Sequence, residues 1–269
     1  MLENFITGLA GWISGLSNGQ TMWVAFYAGL FVALMTSLGA MIALFAKRLP
    51  AGGVDLSLSF AAGVMLVASF TSLIIPAINS TGSFTPAGLG IALGILLIYV
   101  IDRFLPHEHL VKGYEGPPSM KDRIRKVWLL VIAVMIHNLP EGLAVGVSLV
   151  YSLELGLITT VAIGIQDFPE GTVISLPLAA IGGKRLQPVV MGVLSGLSEM
   201  AMVLVGAYFF DLFSWLLPYG LGLAGGAMLY VTIKEMVPEI YRGETSETLV
   251  TLGFFIGFYV MLFLDSMLG

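Results

Sequence analysis

Long apolar blocks, interrupted at short intervals by small polar clusters, make up almost the whole of this chain. Eight of them reach 20 residues or more, at positions 20–46, 53–79, 86–106, 123–150, 155–182, 187–213, 216–240 and 248–268. An α-helix needs about 20 apolar residues to cross a hydrocarbon core of roughly 30 Å. The pattern therefore predicts an all-α polytopic membrane protein, a bundle of eight transmembrane helices. The whole chain, residues 1–269, reads as a single transmembrane domain. Residues 1–19 place Phe5, Leu9, Trp12 and Leu16 at roughly helical spacing and predict an N-terminal interfacial segment. The longest polar stretch, 106–122, falls between helices 3 and 4. Glycines recur four residues apart, as in Gly90/Gly94, Gly142/Gly146 and Gly253/Gly257, and such pairs let helices approach closely in lipid.

Composition sharpens this picture. Of 269 residues, 57% are hydrophobic and 11% charged, and the mean hydropathy of +0.95 lies far from that of soluble domains. Cysteine is absent, which excludes disulfides, thiolate metal sites and thiol redox chemistry. A net charge of −5 is a poor match for nucleic acid. The 12 basic residues share one side of the predicted topology. Lys47 and Arg48 follow helix 1, and Arg103, Lys112, Lys121, Arg123, Arg125 and Lys126 lie around the helix 3–4 connection. Lys184 and Arg185 lie between helices 5 and 6, and Lys234 and Arg242 around helices 7 and 8. The positive-inside rule makes that side cytoplasmic and both termini outside, as expected for a multi-pass protein of the plasma or inner membrane.

Polar residues inside the apolar blocks carry the candidate chemistry. Helix 4 contains Met135-Ile-His-Asn-Leu-Pro-Glu-Gly142, and helix 5 a near copy, Ile165-Gln-Asp-Phe-Pro-Glu-Gly171. In each, two adjacent polar side chains are followed by Glu on the same side of the helix, since successive residues turn by about 100°. Proline before each Glu removes a hydrogen bond to the carbonyl four residues earlier and bends the helix there. Counted from the ends of their blocks, His137 and Asp167 lie at one depth, and Glu199 of helix 6 and Met65 of helix 2 fall at the same level.

Glu141, Asp167, Glu170 and Glu199 thus place four carboxylates near mid-membrane. Left ionised and unpaired, they would cost roughly 10–14 kcal/mol at about 2.5–3.5 kcal/mol each. All Lys and Arg are at the cytoplasmic side, leaving protons or bound cations to neutralise them. Protons alone give no role to His137, Asn138 and Gln166. Imidazole with carboxylates suits zinc and its first-row neighbours, and two divalent ions would balance four carboxylates. The lack of a closed His/Cys tetrad points to binding that can be released.

These motifs resemble those of the ZIP (Zrt/Irt-like) family of divalent-metal transporters. The resemblance covers essentially the whole membrane region and rests on His137-Asn-Leu-Pro-Glu-Gly142, Gln166-Asp-Phe-Pro-Glu-Gly171 and Glu199, the fifth-helix motif being of the prokaryotic type. It implies a two-metal centre lined by the fourth and fifth helices. By motif position, Met65, His137, Glu141, Gln166 and Glu170 would surround one ion. Asn138, Asp167 and Glu199 would surround the second, with Glu141 and Glu170 bridging. Many family members have His where this chain has Gln166, so one imidazole is lost here.

The expected function is movement of Zn²⁺, with Fe²⁺, Mn²⁺ and Cd²⁺ as further candidates, into the cytoplasm. The ions are cargo; no catalytic residue, cofactor-binding residue or cofactor is expected. Asp211 and Asp265 are candidates for the entrance, and Glu235, Glu239, His107 and His109 for the exit. For His107-Glu-His109, a solvated loop with incidental histidines is an equal reading. An intramembrane metal-dependent hydrolase and a proton- or sodium-coupled carrier are the alternatives. The candidate partners are divalent metal ions, the lipid bilayer and a second copy of the chain in a homodimer.

Overall fold

Among the described residues, the apolar blocks form eight principal helices whose ends lie within about three residues of the pattern, save that the first stops at Met41 before a short tight turn. The computed structural model describes residues 21–45, 53–109, 113–115, 126–182, 186–241 and 245–268. The expected interfacial segment 1–19 and basic residues such as Lys47, Arg48, Lys112, Lys121, Lys184 and Arg242 lie outside them. Helix α1 is Thr21–Met41 and continues into a short tight turn, Ile42–Leu44. Helix α2 spans 53–81, as Gly53–Ala68, a wide π turn Ser69–Ile74, and Ile75–Thr81. Helices α3 to α6 are Phe84–Phe104, Lys126–Tyr151, Leu153–Gly182 and Leu186–Leu212. Helix α7 spans 217–241, as Leu217–Tyr230, a second π turn Val231–Met236, and Val237–Tyr241. Helix α8 is Glu247–Leu268.

Among the described residues, six of these helices are long and apolar enough to cross a membrane. The other two, α4 and α5, carry the polar motifs and have 26 and 30 residues, about 39 and 45 Å at 1.5 Å per residue. Local chemistry sets the ends. Gly82 adopts the left-handed conformation, φ 63°, that stops α2. One residue later Ser83 Oγ accepts the Thr85 N–H at 3.3 Å and starts α3. Between α4 and α5 the chain turns at Ser152, which takes up the Leu155 N–H through its hydroxyl at 3.3 Å. Within the polar 106–122 stretch, His107–His109 (β1) and Gly113–Glu115 (β2) pair antiparallel, His107 opposite Glu115. This small hairpin packs against α4.

The helices pack in two groups. α1, α4, α5 and α6 pack chiefly on one another, as do α2, α3, α7 and α8, and the seam between them runs along α2–α5 and α4–α7. The glycine pairs lie inside the groups. Gly142 and Gly146 of α4 rest on the Glu199 and Val203 carbonyls of α6, and Gly90 and Gly94 of α3 on Tyr219 and Leu223 of α7. A Cβ at any of these positions would collide with backbone, so each pair of helices is held at a separation only glycine permits. Among the described residues, no glycine meets backbone across the seam. The outward faces stay apolar, with Leu93, Leu96 and Leu97 on α3 and Phe255, Ile256 and Tyr259 on α8 exposed, as lipid requires.

Candidate metal centre

The two motif helices stand side by side at the middle of the bundle and continue unbroken through Pro140 and Pro169. Spacings of one, three and four residues turn Asn138 and Glu141 on α4, and Gln166, Asp167 and Glu170 on α5, into the interior, where all five are buried. One carboxylate oxygen each from Glu141, Asp167 and Glu170 lies within 4.8 Å of the others. Glu199, buried on α6, acts electrostatically on both Glu141 and Asp167.

Hydrogen bonding accounts for only part of this polar surface. Gln166 Nε2 donates to Glu141 Oε1 at 2.5 Å. Among the described residues, Glu141 Oε2, Gln166 Oε1, Asp167 Oδ2 and both carboxylate oxygens of Glu199 have no hydrogen-bond donor. Thr36, the hydroxyl neighbouring Glu199, gives its proton to the Val32 carbonyl instead, at 3.1 Å. Leaving a buried acceptor unsatisfied costs about 1–3 kcal/mol, and more where it is charged. The deficit is one of positive charge among oxygens, which is what hard or borderline divalent cations supply.

Asn138 turns its amide nitrogen to α6, donating to Ser195 Oγ at 3.1 Å, so its carbonyl oxygen points to the opposite side of the amide. His137 looks across the seam, with Nε2 2.6 Å from Glu235 Oε2. Glu235 is a candidate exit residue by sequence position; the structure sets it against the first motif, buried on the π turn of α7. Glu239, one turn on, is also buried and acts electrostatically on His137. Met65 is fully buried on α2, and its carbonyl accepts the Ser69 hydroxyl at 2.7 Å.

The remaining sequence candidates fall on other stretches of the fold. Asp211 is exposed near the end of α6, twelve residues or about 18 Å along the helix from Glu199. Asp265 of α8 neighbours Thr71 on the π turn of α2, whose hydroxyl donates to the Val67 carbonyl at 3.1 Å. His107 and His109 belong to the hairpin on α4. Sequence reasoning missed Ser195, Tyr230 and Asp102, the last two joined to Lys234. A signal for the latter pair existed: Asp102 and Lys234 each fall inside an apolar block, and charged residues in such places tend to pair.

The family model described as ZIP Zinc transporter matches residues 106–265. The chain is 40% identical over 272 residues to zinc transporter ZIPB of Bordetella bronchiseptica, covering 97% of this chain and 87% of that protein. It is 39% identical over 259 residues to zinc transporter GufA of Myxococcus xanthus, covering 92% of this chain and all (100%) of that one. With zinc transporter ZIP11 of Homo sapiens the identity is 29% over 348 residues, covering 94% and 100%. Matches that run through both motif helices and nearly the full length of two bacterial relatives leave one assignment: the chain belongs to the ZIP family.

Proposed function

We propose that this protein carries Zn²⁺ across the membrane through a two-ion site between α4, α5 and α6, releasing it on the cytoplasmic side. The observation that supports this most is the cluster of buried oxygens without donors around Glu141, Asp167 and Glu199, in which the Glu141, Asp167 and Glu170 ligand atoms come within 4.8 Å of one another. One ion would take Glu141, Glu170, Gln166, His137 and Met65; the second would take Asn138, Asp167 and Glu199, with the two motif glutamates shared. The relatives carry transporter names, and the ion is cargo rather than cofactor. Fe²⁺, Mn²⁺ and Cd²⁺ fit the same oxygen-rich set.

The packing supports a route for movement. Apart from Met65 on α2, the site's ligands belong to the group α1, α4, α5 and α6, whose members are held together by glycine-to-backbone contacts; among the described residues, the seam to α2, α3, α7 and α8 lacks them. A shift of one group against the other would open the site to alternate sides with the loss of the Met65 ligand alone. His137 meets Glu235 across that seam, so ion binding at His137 Nε2 and this hydrogen bond exclude each other.

Purified protein in proteoliposomes should accumulate Zn²⁺, and Glu141→Ala should abolish uptake and binding while still inserting. Zn²⁺ uptake at the wild-type rate in Glu141→Ala would overturn the proposal. Uptake of protons or Na⁺ alone, indifferent to Zn²⁺, would favour the coupled-carrier reading instead.

A further inference from the structure

Asp102, Tyr230 and Lys234 form a polar cluster between α3 and α7 of the second helix group, Asp102 buried and the Lys234 side chain 35% exposed. Asp102, on the last turns of α3, is 4% exposed. Its Oδ2 accepts the Tyr230 hydroxyl at 3.0 Å and forms an ion pair with Lys234 Nζ. The ammonium also lies 5.6 Å from the centroid of the Tyr230 ring, within range of a cation–π contact. Residues 230 and 234 are four apart and share one face of α7, which is why both reach α3. Lys234 lies on the π turn Val231–Met236, where the usual hydrogen-bond ladder is replaced by a wider one.

The next residue on that turn is Glu235. About a quarter-turn further round, it faces away from α3 toward α4 and meets His137 at 2.6 Å. Neighbouring residues of one irregular turn thus hold opposite partners, Lys234 in its own group and Glu235 across the seam. A wide turn has no rigid register of its own, and something must fix the direction in which Glu235 points. The Asp102 carboxylate is the anchor available on the α3 side, and burial makes it costly to leave without its cation.

We propose that Asp102 and Lys234, with Tyr230, are positioning residues: they clamp the π turn of α7 to α3 and so aim Glu235 at His137. This rests on the transport reading above, because the contact it positions is the one ion binding at His137 must displace. With the clamp in place, Glu235 waits at a fixed point on the seam and takes His137 when the ion leaves. Without it, Glu235 wanders and the two groups lose a defined resting contact.

The chain has no cysteine, so spin labels can be placed at Ile233→Cys on α7 and Leu197→Cys on α6, both exposed positions on opposite groups. Metal-free protein should give a narrow label-to-label distance distribution. Lys234→Met should broaden it, Lys234→Arg should leave it narrow, and the swapped pair Asp102→Lys with Lys234→Asp, which keeps the summed side-chain length and opposite charges, should restore it. In proteoliposomes, Lys234→Met should lower the maximal Zn²⁺ uptake about tenfold, the usual scale for losing a supporting partner. In a Glu235→Gln background the same change should add less than about twofold, since its target is already gone. Unchanged distances in Lys234→Met, failure of the swap to narrow the distribution, or a full additional tenfold loss on top of Glu235→Gln would each overturn the clamp. The distance arm needs no transport, so absent flux in the wild type would overturn only the transport reading.

Discussion

Replacing Glu141 with glutamine removes one negative charge from the cluster while keeping size and hydrogen-bonding reach. The oxygens of Glu141, Asp167 and Glu170 lie within 4.8 Å of one another. At an effective dielectric near 20, two unit charges at that separation repel by about 3.5 kcal/mol. Losing Glu141 therefore relieves up to about 7 kcal/mol of repulsion in the metal-free site. A divalent ion placed among three such oxygens sits within about 2.8 Å of each and loses about 12 kcal/mol of attraction. The difference, about 5 kcal/mol, is an upper value, because protons already relieve repulsion in the empty site and the new amide oxygen still coordinates. Even about 2 kcal/mol corresponds to roughly thirtyfold weaker binding. Equilibrium Zn²⁺ binding to purified Glu141→Gln, beside initial uptake rates over a concentration series, should show at least that loss. Binding within twofold of wild type would refute the reasoning, since it would mean that Glu141 carries no charge facing the ion.

Other substitutions probe neighbouring parts of the account. Ser195→Ala removes the hydroxyl acceptor of the Asn138 amide, leaving the longer bond to the Ser195 carbonyl, and should weaken the second ion by about 0.5–1.5 kcal/mol, or two- to tenfold, seen as a shift of the later step of the binding isotherm with the earlier one unmoved. Gln166→His exchanges the donor to Glu141 for an imidazole, and competition assays should show Zn²⁺ gaining over Mn²⁺. Gly146→Leu drives a side chain into the Val203 carbonyl of α6 and should lower the thermal midpoint in detergent by several degrees, whereas leucine at the exposed Tyr259 should not.

Much of the bundle was legible because lipid imposes a simple rule on sequence. Helix ends were readable to a few residues from apolar length alone, and Glu141, Asp167, Glu170 and Glu199 stood out because uncompensated charge at mid-membrane is expensive. The wide turns were not legible. Val231–Met236 contains no proline or glycine, and the contact of Glu235 on that turn with His137 joins two elements far apart in sequence, whereas its position toward the end of its apolar block made it an exit candidate. The tie between Asp102 and Lys234 joins residues 132 apart in sequence, and only the packing of α3 on α7 brings them together. His107-Glu-His109 had two equal readings, and its pairing with Gly113–Glu115 comes from backbone geometry that no residue type in the stretch demanded. Ser195 was invisible for a plainer reason: a buried serine in a helix most often bonds its own backbone, as Ser198 does to the Ser195 carbonyl at 2.7 Å.

If the two motifs together hold the transported ions, their removal empties the protein of zinc. Zn²⁺ bound per chain can be counted in tag-free protein reconstituted in lipid, for the wild type and for a variant with Glu141, Asp167 and Glu170 all changed to their amides. Two ions per wild-type chain are expected, and none at the same free Zn²⁺ in the variant. Equal zinc content in both would contradict this.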